Sequence, residues 1–166
     1  MKEKKDEKSK IINTHREARH HYEIFESIEA GIVLVGCEVK ALRDSQCSLI
    51  GSFARFEGDQ LLLQNAYIAP YAMGNRENPD PKRLRKLLLH KSQLEKLRVR
   101  TQEKGMVLIP LKLYFSDRGM VKVELGVGKG RKKADKRQAM AERDSRLEIQ
   151  RALGRPAQGM DRAPTR

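Results

Sequence analysis

The side chains best placed to do chemistry in this chain are cations, and the chemistry they offer is the holding of phosphate. From Lys129 to Arg155 the sequence carries ten Lys/Arg against four Asp/Glu. A second cluster, Lys82-Arg83-Leu84-Arg85-Lys86, opens a stretch to Lys104 with nine cations and two acids. Arginine supplies a planar fork for phosphate and lysine a point charge. Contacts of this kind fix a protein's position on a polyanion and carry little sequence information. Lys82, Arg83, Arg85 and Lys86 therefore read as a phosphate-tracking surface. In the second half of the chain, a helix over residues 131–153 puts Lys132, Lys136, Arg143 and Arg146 on one face, with Asp135 and Glu142 away from it. Arg131, Lys133 and Arg137 add to the same basic run. Met140, Leu147, Ile149 and Leu153 are too sparse to hold that helix alone, which predicts disorder in the free chain and order on binding.

Other reactive groups are poorly arranged for catalysis. His15, His20, His21 and His90 do not form a metal set, and His20-His21 reads as a surface or core pair rather than as ligands or a general base. Cys37 and Cys47 stand ten apart without a Cys-x-x-Cys, so they read as reduced thiols and not as a zinc site. Gly126, Gly128 and Gly130 have a G-x-G spacing, but no helix with an apolar face follows, which excludes a dinucleotide loop. The sequence offers no paired carboxylates and no Ser/His/Asp order. No catalytic residue, metal or cofactor is expected. Aromatic residues are few, with four Tyr, four Phe and no Trp. Phe53, Phe56, Tyr114 and Phe115 fall in strands and read as core. Tyr22, Tyr67 and Tyr71 are the better candidates for base stacking. Recognition by shape and phosphate is expected to outweigh base readout.

Composition agrees. A net charge of +13 over 166 residues points to a polyanionic partner, and 39% hydrophobic residues suffice for one small core with tails. Met1–Lys10 is charged and lacks an apolar signal-peptide region, and no run is long enough to span a membrane. These features predict a cytoplasmic chain that does not engage membranes.

The elements that must carry these groups follow from periodicity. Residues 1–12 read as a disordered lead. Tyr22–Ile28 reads as a strand, and Glu29–Gly36 as a buried strand or one short helix. Glu38–Leu42 reads as a further strand. Phe53–Phe56 and Leu61–Ile68 form a hairpin through Glu57-Gly58-Asp59-Gln60. Residues 70–81 form a long loop, a candidate for binding. Ser92–Glu103 reads as an amphipathic helix with Ser92 as N-cap and Glu95 completing a capping box. Met106–Phe115 and Met120–Val127 form the last hairpin. There Val121, Val123, Leu125 and Val127 share one face, Lys122 faces the other way, and Pro110 requires an edge or a bulge. The fold class is mainly β with flanking helices: a small antiparallel OB-like barrel over 13–129 and a basic tail over 130–166.

These segments resemble the SsrA-binding proteins (small protein B), the tmRNA-binding family of bacterial trans-translation. The resemblance rests on Glu29-Ala30-Gly31, Gly36-Cys37-Glu38-Val39-Lys40-Ala41-Leu42-Arg43, Pro70-Tyr71, Arg85-Lys86-Leu87-Leu88-Leu89, Pro110–Phe115, Val121–Gly126 and Asp135-Lys136-Arg137, in that order over about residues 13–153. It implies a non-enzymatic, monomeric adaptor that binds the tRNA-like domain of tmRNA. Such an adaptor acts with the elongation factor that carries aminoacyl-tmRNA, and it delivers the RNA to ribosomes stalled without a codon in the A site. It implies that Glu29, Leu88, His90 and Lys122 face tmRNA. Gly130, Asp135, Lys136 and Arg137 would act in the small-subunit decoding centre, with the tail helical in the empty mRNA channel through about residue 153. Gly130 suits a hinge, having no Cβ. The chain departs from the family at Ala134, usually aromatic or histidine, at His90, more often asparagine, at His21, often acidic, and at Ala41, usually serine. Two other readings compete: a general structural RNA-binding protein, on charge alone, and an RNA-processing enzyme using His20, His21 or His90.

Overall fold

A computed structural model describes residues 10–74 and 78–154. The first nine residues of the expected lead, residues 75–77 of the long loop and residues 155–166 lie outside the described part. Backbone contacts divide the chain into two units after Arg131.

The first unit is built on the hairpin of β8 (Met106–Phe115) and β9 (Val121–Gly130). Alternation places Val121, Val123, Leu125 and Val127 in the core, all buried. β2 (Tyr22–Ile32) runs antiparallel along almost all of β9, from Tyr22 opposite Gly130 to Gly31 opposite Lys122. The sheet continues through β7 (Arg85–Leu88), β5 (Gln60–Gln64) and β4 (Phe53–Glu57), each antiparallel to the last. β4 returns to β8 at one pair, Ala54 opposite Leu108. β1 (Lys10–Thr14) takes the remaining edge of β8. The expected barrel is therefore a seven-stranded antiparallel sheet curled on itself and not an evenly laddered closed barrel. The seam is narrow because β1 occupies the half of the β8 edge that β4 would need. β3 (Cys47–Ser48) and β6 (Tyr67–Ile68) form a separate small ribbon.

Three local expectations change. Lys10, Ile11 and Ile12, expected in the disordered lead, belong to β1, with Ile12 buried. Glu38–Leu42 is not a strand: it lies in helix α2 (Gly36–Arg43), with Glu38, Ala41 and Leu42 buried at the i, i+3, i+4 spacing of a helix face. The expected helix at Ser92 is α3 (Lys91–Gln102), and His90, not Ser92, is its N-cap. The His90 backbone N–H donates to Gln93 Oε1 (3.3 Å). Both β hairpins form, the first with the expected strand Leu61–Ile68 divided into β5 and β6, and the register slip at Pro110/Lys112 supplies the bulge that Pro110 requires.

The main core fills the inside of the curled sheet, with Leu63, Leu87, Leu108, Val123 and Leu125 among its members. A second, smaller core lies on the outer side of β8. There Ile109 and Leu111 pack with Ala18 of the short helix α1 (Ala18–His21) and with Tyr22 and Ile24. This explains why Met106–Leu111 is apolar without alternation, since it is buried on both faces. It also explains the glycine spacing. A Cβ at Gly128 would sit 2.6 Å from the Glu23 carbonyl oxygen, and one at Gly126 3.0 Å from Leu111 Cδ1. These glycines let β2 cross closely and have nothing to do with phosphate.

The second unit holds helix α4 (Lys133–Leu153). This is the span over which the sequence expects a helix when the tail is bound. Alanine, arginine, glutamate and glutamine are strong helix formers, and Gly154 ends the helix as expected. Its apolar residues Met140, Leu147, Ile149 and Leu153 are all exposed.

Candidate nucleic-acid interface

β2, β7 and β9 bring together four residues far apart in sequence. Gly31 of β2 lies opposite both Leu88 of β7 and Lys122 of β9. Glu29 stands two residues earlier on the same face. His90 follows β7 and caps α3, and Gln93 closes the end. The result is an open groove of about 320 Å³ lined by Glu29, Gly31, Leu88, His90, Gln93 and Lys122. A Cβ at Gly31 would meet Leu88 Cβ at 3.3 Å, so a side chain there would narrow the groove floor.

The register sets the electrostatics. Tyr114 of β8 lies opposite Lys122. Tyr114 Oη and Lys122 Nζ both donate to the Glu29 carboxylate. Partial burial, and then the Glu29 carboxylate, raise the Tyr114 phenol well above its ordinary value, so it remains a donor. Glu124, directly opposite Glu29, has its own cation in Lys112 at 3.1 Å. The pairing keeps two facing carboxylates compensated and leaves a rim of mixed charge, able to accept from base or ribose donors and to hold phosphate. Tyr114, expected in the core, is half-buried and holds the groove residue Glu29, a part that sequence reading missed. Its place opposite Lys122 in the hairpin register was the signal available.

The basic cluster Lys82–Lys86 divides. Lys82 and Lys86 are exposed. Arg85 is 0% exposed and Glu38 only 3%. Arg85 Nε donates to Glu38 Oε1 (2.9 Å), Nη1 to the Ala66 carbonyl (2.6 Å) and Nη2 to the Pro81 carbonyl (3.0 Å). Arg83 Nε and Nη2 donate to the two oxygens of the same carboxylate at 2.9 and 2.6 Å. Burial alone would raise the Glu38 carboxyl, but hydrogen bonds from Arg83 and Arg85 outweigh it and hold the group below its usual range. Arg85 cannot face RNA from this position; it ties α2, β7 and the end of the long loop together. That loop is closed by Asn78, which donates to the Tyr71 carbonyl and accepts from the Tyr71 N–H, each at 3.0 Å. Tyr71 itself lies under Lys40, 5.4 Å from Nζ to the ring centre. Of the other stacking candidates, Tyr67 is exposed and Tyr22 packs on the second core.

The tail residues also shift in meaning. Gly130 is still paired with Tyr22 at the end of β9, and a Cβ there would meet nothing. The Arg131 N–H continues the ladder to the His21 carbonyl (3.0 Å). Lys132, the first residue of the second unit, is the extended N-cap of α4. Lys133, Asp135 and Lys136 fall in the first turns of α4, and Arg137, Arg143 and Arg146 are exposed along it. His15 is buried, its Nδ1–H donating to the Pro110 carbonyl (3.1 Å), and burial pushes the Cys47 thiol up to about 11. Neither is poised for chemistry.

A family model described as SmpB protein matches residues 12–155. The SsrA-binding protein of Pelotomaculum thermopropionicum is 50% identical over 144 residues, 87% of this chain and 94% of that one. That of Carboxydothermus hydrogenoformans is 51% identical over 144 residues, 87% and 96% of the two chains. That of Salinispora arenicola is 45% identical over 152 residues, 92% and 95%. A chain of the solved structure described as "tmRNA-SmpB: a journey to the center of the bacterial ribosome" superposes with a TM-score of 0.63 at 53% identity, over 73% of this chain and 85% of that one. The chain belongs to the SmpB family, whose relatives bear the name SsrA-binding protein.

Proposed function

We propose that this protein binds the tRNA-like domain of tmRNA and brings it to stalled ribosomes in trans-translation. The observation that carries the reading is the groove. Glu29, Leu88, His90 and Lys122, which the resemblance assigns to the RNA face, converge on it from three strands and a helix start. Lys82 and Lys86 lie along the same strand path and add phosphate contacts. Arg131, Lys132 and the cations of α4, Lys133, Lys136, Arg137, Arg143 and Arg146, with Asp135, serve the decoding centre and the empty mRNA channel. The protein acts as a binding adaptor, not a catalyst, alongside the elongation factor that carries aminoacyl-tmRNA, in the cytoplasm and as a monomer. Among the described residues no helix is long and apolar enough to cross a membrane.

The test compares the full chain with one ending at Arg131. Among the described residues, all buried core residues lie between Ile12 and Val127, so the truncation removes none of them. Both chains are titrated against the tRNA-like domain with ordinary tRNA as competitor at fixed salt, because salt alone changes such affinities by orders of magnitude. Both should bind tightly and selectively, and only the full chain should support tagging on stalled ribosomes. Binding that disappears with the tail, or tagging that survives without it, overturns the two-part reading.

A further inference from the structure

Beyond the groove, β2 and β7 continue as a two-stranded ribbon whose outer face is unexpectedly apolar. The Val33 N–H donates to the Lys86 carbonyl (2.9 Å), so the ladder runs past the end of β2. Val33 and Val35, in the extended residues between β2 and α2, and Leu84, just before β7, are exposed there with Lys86 and Leu88 of β7. The four aliphatic side chains are each between 43% and 48% exposed. Their inward neighbours Ile32, Leu34 and Leu87 fill the main core. Arg83, a cation expected on this surface, is instead turned to Glu38 and the Val33 carbonyl. The strip spans about 13 Å along the strands, five residues at strand spacing.

We propose that this ribbon seats unstacked nucleobases of the same RNA that the groove holds, extending the RNA-binding face onto Val33, Val35 and Leu84. The inference rests on the RNA-binding reading above. Leu88 belongs to both the groove and the ribbon, so a strand leaving the groove meets the ribbon without a break. Base faces are apolar and pack against aliphatic side chains where duplex stacking is absent. Lys86 stands among the four aliphatics, where a phosphate linking such bases would need a cation. A protein partner fits less well, because the centres of protein interfaces are depleted in lysine.

The two kinds of contact separate by salt. Apolar seating adds affinity that does not depend on counterion release, whereas each phosphate contact adds to the salt slope. The test uses the full chain and the tRNA-like domain, with dissociation constants measured over a series of salt concentrations. A triple variant, Val33→Ser, Val35→Ser and Leu84→Ser, is compared with Lys86→Ala, and urea midpoints confirm that both fold. The triple variant should bind about tenfold more weakly at every salt with an unchanged slope, and Lys86→Ala should lower the slope by about one. Wild-type affinity in the triple variant overturns the inference. So does wild-type RNA affinity combined with lost tagging on ribosomes, which would make the occupant a protein. A wild-type chain that does not bind this RNA selectively removes the RNA-binding reading, and the inference with it.

Discussion

Glu38→Ala should cost more stability than any other single change to a charged residue in this protein. The carboxylate faces two guanidinium groups, and Arg85 has no route to water. Removing it leaves Arg85 with its bonds to the Ala66, Pro81 and Arg83 carbonyls but without its bonded carboxylate and without an acceptor for Nε, Asp80 being the acid still acting on it. Breaking a buried pair by deleting one partner costs about 3–5 kcal/mol. For a unit of this size that corresponds to a fall in Tm of about 10–20 °C. Glu38→Gln keeps an acceptor and should recover part of the loss. Arg83→Met, at a partly exposed site, should cost about 1 kcal/mol. The pH dependence has a definite sign. Because the Glu38 carboxyl is held below its ordinary value, its contribution is complete above that value and fades as acid protonates the folded state. The gap between wild type and Glu38→Ala should therefore narrow progressively as pH falls below about 4. Thermal and urea unfolding followed by circular dichroism measure all of this. A Glu38→Ala chain within about 1 kcal/mol of wild type at pH 7 would refute the account of a sealed charge cluster.

Three further outcomes are expected. Gly128→Ala should destabilise by about 2–3 kcal/mol in urea titration, because the added methyl meets the Glu23 carbonyl and only backbone movement can relieve it. Cys47 should react with a thiol reagent far more slowly than Cys37 at pH 8, since burial keeps its thiol protonated, and equal rates would contradict its placement. Lys122→Ala should weaken RNA binding and lower the salt slope by about one, with little change in unfolding midpoint; an unchanged slope would remove Lys122 from the phosphate contacts.

Much of the fold was legible because hairpins announce themselves locally. Glu57–Gln60 and Ser116–Gly119 are turns with glycine where φ is positive, at +58° for Gly58 and +75° for Gly119. The alternation from Val121 to Val127 identifies a core face without any knowledge of partners. Glu38–Leu42 misled because a five-residue run mixing charged and apolar groups fits either period, and its buried carboxylate is explained only by Arg83 and Arg85, which lie 45 and 47 positions away. For the same reason the basic cluster could not be divided from sequence. Composition counts cations, but only the path of β7 decides which of them point inward. Gly130 looked like a hinge by residue type, while its pairing with Tyr22 depends on a strand more than a hundred residues earlier. The groove residues came from resemblance; their convergence, and the part played by Tyr114, needed the register.

That register also orders events during synthesis. β1 and β2 are among the first segments to leave the ribosome, yet their partners β8 and β9 are the last strands made. Until β8 is out β1 lacks its native partner, and until about residue 130 is out the long β9 edge of β2 stays open, and closing so long a loop slows folding. The chain cannot complete its sheet by stages from the N-terminus. It must wait, and a nascent chain cut short before β9 leaves the long edge of β2 uncovered and prone to aggregate. A protein whose partners are stalled ribosomes is thus itself one that a stalled ribosome would leave unfolded.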